Sequence, residues 1–136
     1  VPLSMIRKFK ESYSYVGEAE SGARVKVPVD GKPRKIEVGK QVGEACNQLL
    51  QEIFGSIKKV IAVASPQSVF PMLQNIILTG GGSRIRNIDQ ELQRMLIDDG
   101  YEDPEVSISS RETKPFVAIG AMKVAKAARE DQWVKP

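Results

Sequence analysis

Residues 77–87 read ILTGGGSRIRN, with three consecutive glycines, Gly80, Gly81 and Gly82, set between a short apolar run and an amphipathic one. Glycine loses more backbone freedom on folding than any other residue, so a triplet at such a junction calls for a cause. A strand that runs through glycines into a helix leaves side-chain-free amides where a sheet ends. In open α/β sheets, ligands bind just beyond that edge. Two familiar loops of this kind are excluded. A P-loop needs Lys followed by Ser or Thr after its last glycine, and here Ser83 and Arg84 follow. A dinucleotide fingerprint counted from Gly80 needs a glycine where Ile85 stands. On the motif alone, a nucleotide-cradling loop and a tight turn packed against a neighbouring helix both remain open.

The flanking sequence sets the loop in an alternating α/β context. NIILTG, 75–80, reads as a β-branched strand buried on both faces. Ile85, Ile88, Leu92 and Leu96 then mark a helix, VSIS at 106–109 a second strand, and residues 115–130 a further helix. In that last helix Val117, Ile119, Met122, Val124 and Ala125 are expected inside, with Pro115 near the start. Strand, helix, strand, helix in this order implies a parallel pair with a right-handed crossover. The acidic connection containing Asp98, Asp99, Glu102 and Asp103 lacks the spacing of a calcium loop and reads as a solvated link.

Upstream, residues 4–15 suit an amphipathic helix with Met5 and Phe9 on one side and Ser4 as cap. GARVKVPVDGKPRKIEV gives a hairpin turning at Asp30-Gly31, kept to an edge or exposed ribbon by Pro28 and Pro33. From Gly39 to about Ala64, apolar residues recur every three or four positions, which predicts one long helix with a wide buried stripe. Cys46 lies on that stripe and reads as a small core residue. Residues 65–71, SPQSVFP, read as a proline-flanked break.

Composition removes several chemistries. The chain has 136 residues, 41% hydrophobic and 27% charged, the size and mix of an ordinary soluble domain. It has no histidine and one cysteine, which rules out Ser–His and Cys–His catalysis and a disulfide framework within the chain. No catalytic residue and no metal site is assigned. The longest apolar run, Val60 to Ala64, is far too short to span a bilayer, so direct membrane insertion is not expected. The net charge of +3 comes from 20 basic and 17 acidic residues interspersed without aromatics, which gives no support to a nucleic-acid face. Beginning at Val1 rather than at methionine, the chain reads as a piece of a longer protein.

Four segments taken together, IRKFKESYSYVGEAE, PVDGKPRKIEVG, MLQNIILTGGGSRIRNID and PFVAIGAM, resemble the second half of the bacterial actin-like ATPases in order and spacing. The likeness covers nearly the whole chain. Around residues 10–17 it is greater to the branch that builds magnetosome-associated filaments than to the rod-shape branch. The resemblance implies a partial actin-like (ribonuclease H-like) α/β fold with a small β-hairpin lobe. Residues 1–45 would form the upper lobe of the second domain, 46–109 its lower lobe with the glycine loop, and 110–136 a helix returning to the first domain.

By the same resemblance, Gly80, Gly81 and Gly82 would line an adenosine pocket, with Ser83 and Ile85 at its margin. Lys10 and Glu11 would come from the helix that closes over the base. A lysine stem can cover an aromatic base, and a glutamate can accept hydrogen bonds from ribose hydroxyls or the adenine amine. Without the glycine loop the same two residues would read as an exposed ion pair. The parent would bind ATP or ADP with magnesium, whose ligands belong to the phosphate hairpins this chain lacks. It would assemble into cytoplasmic filaments and position magnetosomes, with magnetosome-associated proteins as partners. The nucleotide lobe of a sugar or acetate kinase, a cell-shape actin, and a scaffold without nucleotide are the competing readings.

Overall fold

A computed structural model describes residues 2–18, 23–109, 114–129 and 132–133. Gly22 and Glu130, the expected outer ends of the hairpin and of the last helix, lie outside the described residues. The element order is α1 (Leu3–Tyr13), β1 (Arg24–Val29), β2 (Lys32–Glu37), α2 (Gly39–Val63), α3 (Pro66–Leu73), β3 (Ile76–Leu78), a 3-10 turn (Gly81–Arg84), α4 (Ile88–Asp98), β4 (Val106–Ile108) and α5 (Lys114–Ala127).

β1 and β2 form an antiparallel ribbon in register from Arg24 opposite Glu37 to Val29 opposite Lys32. Asp30 and Gly31 both take positive φ, 51° and 75°, as a two-residue hairpin turn demands. Val25 and Val27 are buried on one face, while every residue of β2 is exposed. β3 and β4 pair in parallel, Ile76 with Val106 and Leu78 with Ile108, and α4 is the crossover between them.

The core lies where α2 and α4 meet the inner face of this pair. Cys46 and Leu50 of α2 pack with Ile88, Leu92 and Leu96 of α4, and Val16 and Ile85 close the cluster from the two loops beside the glycines. The spacing of four residues in both helices puts each set on one stripe. Burial of these side chains contributes about 1.5–3 kcal/mol each.

Five expectations are corrected. β3 is not buried on both faces: Ile76 and Leu78 turn to the core, but Ile77 is 60% exposed. Residues 65–71 are not a break, because Pro66–Leu73 is helical. Pro66 occupies the first helical turn, where its missing N–H is no loss. Pro71 lies inside that helix, and the Asn75 side chain donates to its carbonyl at 2.9 Å. The helix after the glycines begins at Ile88, since Asn87 takes a left-handed conformation (φ 63°) that no helix can run through. Finally, Val117, Ile119, Met122 and Val124 of α5 are exposed, and of the five residues expected inside only Ala125 is partly covered. At α1 the cap position is Pro2 rather than Ser4.

Candidate functional site

Gly80 is the hinge between strand and turn. Its φ of 83° and ψ of −172° lie in a region that is essentially glycine's alone. Ser83 is buried beneath the turn and donates its hydroxyl to the Gly80 carbonyl at 2.7 Å, which fixes the reversal. Gly81 and Gly82 are different. They sit in the 3-10 turn, and a Cβ built on either would meet nothing within 4 Å. Neither conformation nor packing within the chain requires them to be bare. The turn itself packs against α4, but Gly81 and Gly82 face open space.

That space is bounded by α1. Beyond the turn, the Arg86 amide donates to the Ser14 carbonyl at 3.3 Å and the Val16 amide donates to the Arg86 carbonyl at 3.1 Å. The two bonds form a parallel bridge between Tyr15 and Arg86, which joins the exit of α1 to the exit of the glycine turn. Val16 is fully buried in the core, and Tyr15 rests on Gly43 of α2, where any Cβ would collide with its ring and hydroxyl. The register thus fixed carries the last turn of α1 over the glycines.

The result is a cleft of about 280 Å³ lined by Lys10, Glu11, Ser14, Gly81, Gly82, Arg84 and Ile85. Complete small-molecule sites measure about 300–1,000 Å³, so the cleft has the scale of one wall of such a site. Of the seven residues singled out from the sequence, the structure brings Lys10, Glu11, Gly81, Gly82 and Ile85 together. Gly80 and Ser83 shape the turn from behind and do not line the cleft. Ser14 and Arg84 line it without having been singled out. Ser14 stands one helical turn after Lys10, and that spacing alone places the two on one face.

Ile85 is buried and forms the apolar floor, whereas Lys10, Glu11 and Arg84 are exposed at the rim. Such a surface offers a flat apolar seat flanked by one hydrogen-bond acceptor and two cationic side chains. Among the described residues no group of three or more His, Cys, Asp or Glu is gathered to hold a metal ion. Among the same residues no helix is long and apolar enough to cross a membrane.

A sequence profile of the MreB/Mbl proteins matches residues 8–132. A MamK-like protein of Paramagnetospirillum magneticum strain AMB-1 is 30% identical over 130 residues, 96% of this chain and 38% of the relative. The actin-like protein MamK of Magnetospirillum gryphiswaldense is 37% identical over 79 residues, 58% of this chain and 22% of that protein. Among solved structures, a MamK double helical filament superposes with a TM-score of 0.82 at 28% identity, over 95% of this chain and 39% of that one. A non-polymerising A278D mutant of MamK bound to AMPPNP superposes at 0.78 and 28% identity, over 93% and 38%. The chain thus spans well under half the length of each of these relatives. With the profile running through α1, the hairpin, the glycine turn and α5, the chain belongs to the MreB/Mbl family of bacterial actin-like proteins and carries part of the actin-like α/β fold.

Proposed function

We propose that this chain is the adenosine-holding part of an ATP-dependent, filament-forming actin-like protein. The observation that carries the reading is the pair Gly81 and Gly82, bare without internal cause and roofed by Lys10 and Glu11. A purine laid on the glycine turn would contact main chain and Ile85 on one face and the Lys10 stem on the other. Glu11 would accept hydrogen bonds from ribose hydroxyls or the exocyclic amine. The AMPPNP carried by one solved relative supports a nucleotide of this class. The residues present fit the nucleoside, and among the described residues no ligand set for magnesium is gathered; the metal would be held by other parts of the parent with the phosphates.

In this reading residues 1–45 are the upper lobe of the second domain, 46–109 the lower lobe, and 110–136 the return toward the first domain. Assembly into filaments is supported by the double helical filament of a relative. Cytoplasmic location and a role in positioning magnetosomes rest on the family resemblance alone and belong to the same proposal. Titration of the intact protein with a fluorescent ATP analogue tests it. Gly81→Val should abolish binding and ATP-dependent sedimentation, and Glu11→Ala should weaken binding about tenfold, the loss of one charge-assisted hydrogen bond. Unchanged affinity in Gly81→Val would remove the cleft from the nucleotide path.

A further inference from the structure

The glycine cleft continues past its far wall. Lys10, Ser14 and Ile85 line it and also line a second cavity of about 440 Å³ that runs on between α1 and α2. Ile6 and Phe9 of α1 form one side of this groove, and Val42, Ala45 and Leu49 of α2 form the other. Ile6 is 50% and Leu49 40% exposed, so an apolar seam stays wetted right up to the cleft.

The boundary between the two cavities is thin. The Ser14 hydroxyl turns back to donate to the Lys10 carbonyl, one turn earlier on the same helix, and so is not held across the gap. Lys10 reaches the boundary on a flexible stem. Ile85 passes beneath both cavities as one continuous apolar floor.

We propose that the base end of the cleft is open, and that the α1–α2 groove is an apolar subsite accepting a hydrocarbon substituent carried on the purine ring. The proposal rests on the nucleotide reading above. A closed base pocket rejects larger analogues by overlap. Here an added phenyl group slides into a groove already lined by carbon and loses apolar surface to it. Choice among bases then falls to hydrogen bonding at Glu11 rather than to the shape of the pocket.

The test compares ATP with three analogues carrying a phenylethyl group at C2, N6 or C8, each titrated calorimetrically into the intact protein. At least one analogue should bind as tightly as ATP or up to about tenfold tighter, the yield of burying a few carbons. Ala45→Trp and Gln41→Trp, both at exposed positions of α2 that line the groove, should fill it. Each should weaken that analogue about tenfold while leaving ATP within about twofold. If all three analogues bind about tenfold more weakly than ATP, or the tryptophans do not separate analogue from ATP, the subsite is overturned and the nucleotide cleft stands. If ATP itself does not bind, the nucleotide reading falls first and takes the subsite with it.

Discussion

Three adjacent glycines carry two unrelated duties. Gly80 is bare because its backbone conformation excludes a side chain, while nothing within 4 Å in the described chain requires Gly81 or Gly82 to be bare. The difference predicts opposite phenotypes. Gly80→Ala forces an L-residue into a glycine-only region and should lower stability by about 1–3 kcal/mol, seen in the denaturant midpoint. Gly81→Val should leave that midpoint nearly unchanged, since its Cβ meets nothing, and should act on ligand affinity alone. Equal loss of stability in both variants would mean that the turn packs more tightly than its geometry indicates. Sequence alone could locate the triplet but could not divide these roles, because φ and the surrounding space are properties of the folded chain. The same holds for Ser83, whose hydroxyl is spent on Gly80 and not on the cleft.

The elements most legible in the sequence are those whose pattern is local. The hairpin turn follows from Asp30-Gly31, and α2 from its long apolar stripe. What escaped depends on neighbours or on single backbone angles. α3 was hidden because proline is read as punctuation, although at a first turn it initiates. The late start of α4 turns on one residue, Asn87, in a left-handed conformation. The parallel bridge of Tyr15 with Arg86 joins residues 71 positions apart and leaves no periodic trace.

That bridge gives a prediction at its own scale. Gly43→Ala places a Cβ against Tyr15, so it should cost about 1–3 kcal/mol of stability. It should also weaken nucleotide binding, because Tyr15 holds α1 in register. A variant that lost stability and kept full affinity would uncouple the two.

Along α4, Arg94 donates from Nε to Glu91 at 3.1 Å and reaches Asp98 at 2.9 Å. The hydrogen bond from Arg94 holds the Glu91 carboxyl below its ordinary value; partial burial opposes this, and the Arg94 charge adds to it. A lowered carboxyl contributes stability that is present above its unfolded value and lost as pH falls through the folded one. Arg94→Gln should therefore show a small deficit at neutral pH that disappears below the carboxylate range. Urea midpoints of both proteins across that range measure it; a deficit that persisted in acid would point to lost packing instead.

At the scale of the whole molecule, the described residues leave much apolar surface open. Ile77 on the outer face of the parallel pair is 60% exposed, and Val117 and Val124 of α5 are 80% and 72% exposed. Exposed apolar area of this kind favours association. The 136-residue chain by itself should therefore self-associate with rising concentration in light scattering, and Ile77→Lys should reduce this. A strictly monomeric chain at high concentration would count against it. Periodicity marked these positions as apolar and hence as wanting cover, but it names no covering partner. The core, by contrast, closes on itself through α2 and α4, and those stripes were readable because both halves of the contact lie within the chain.

The seam at Ser14 and Arg86 has a mechanical corollary. Because the roof over the glycines and the floor beneath it are sewn together one residue past the opening, neither can swing without the other. Any motion that admits or releases a guest must then happen on the unsewn side, and this corner of the molecule travels as one rigid jaw.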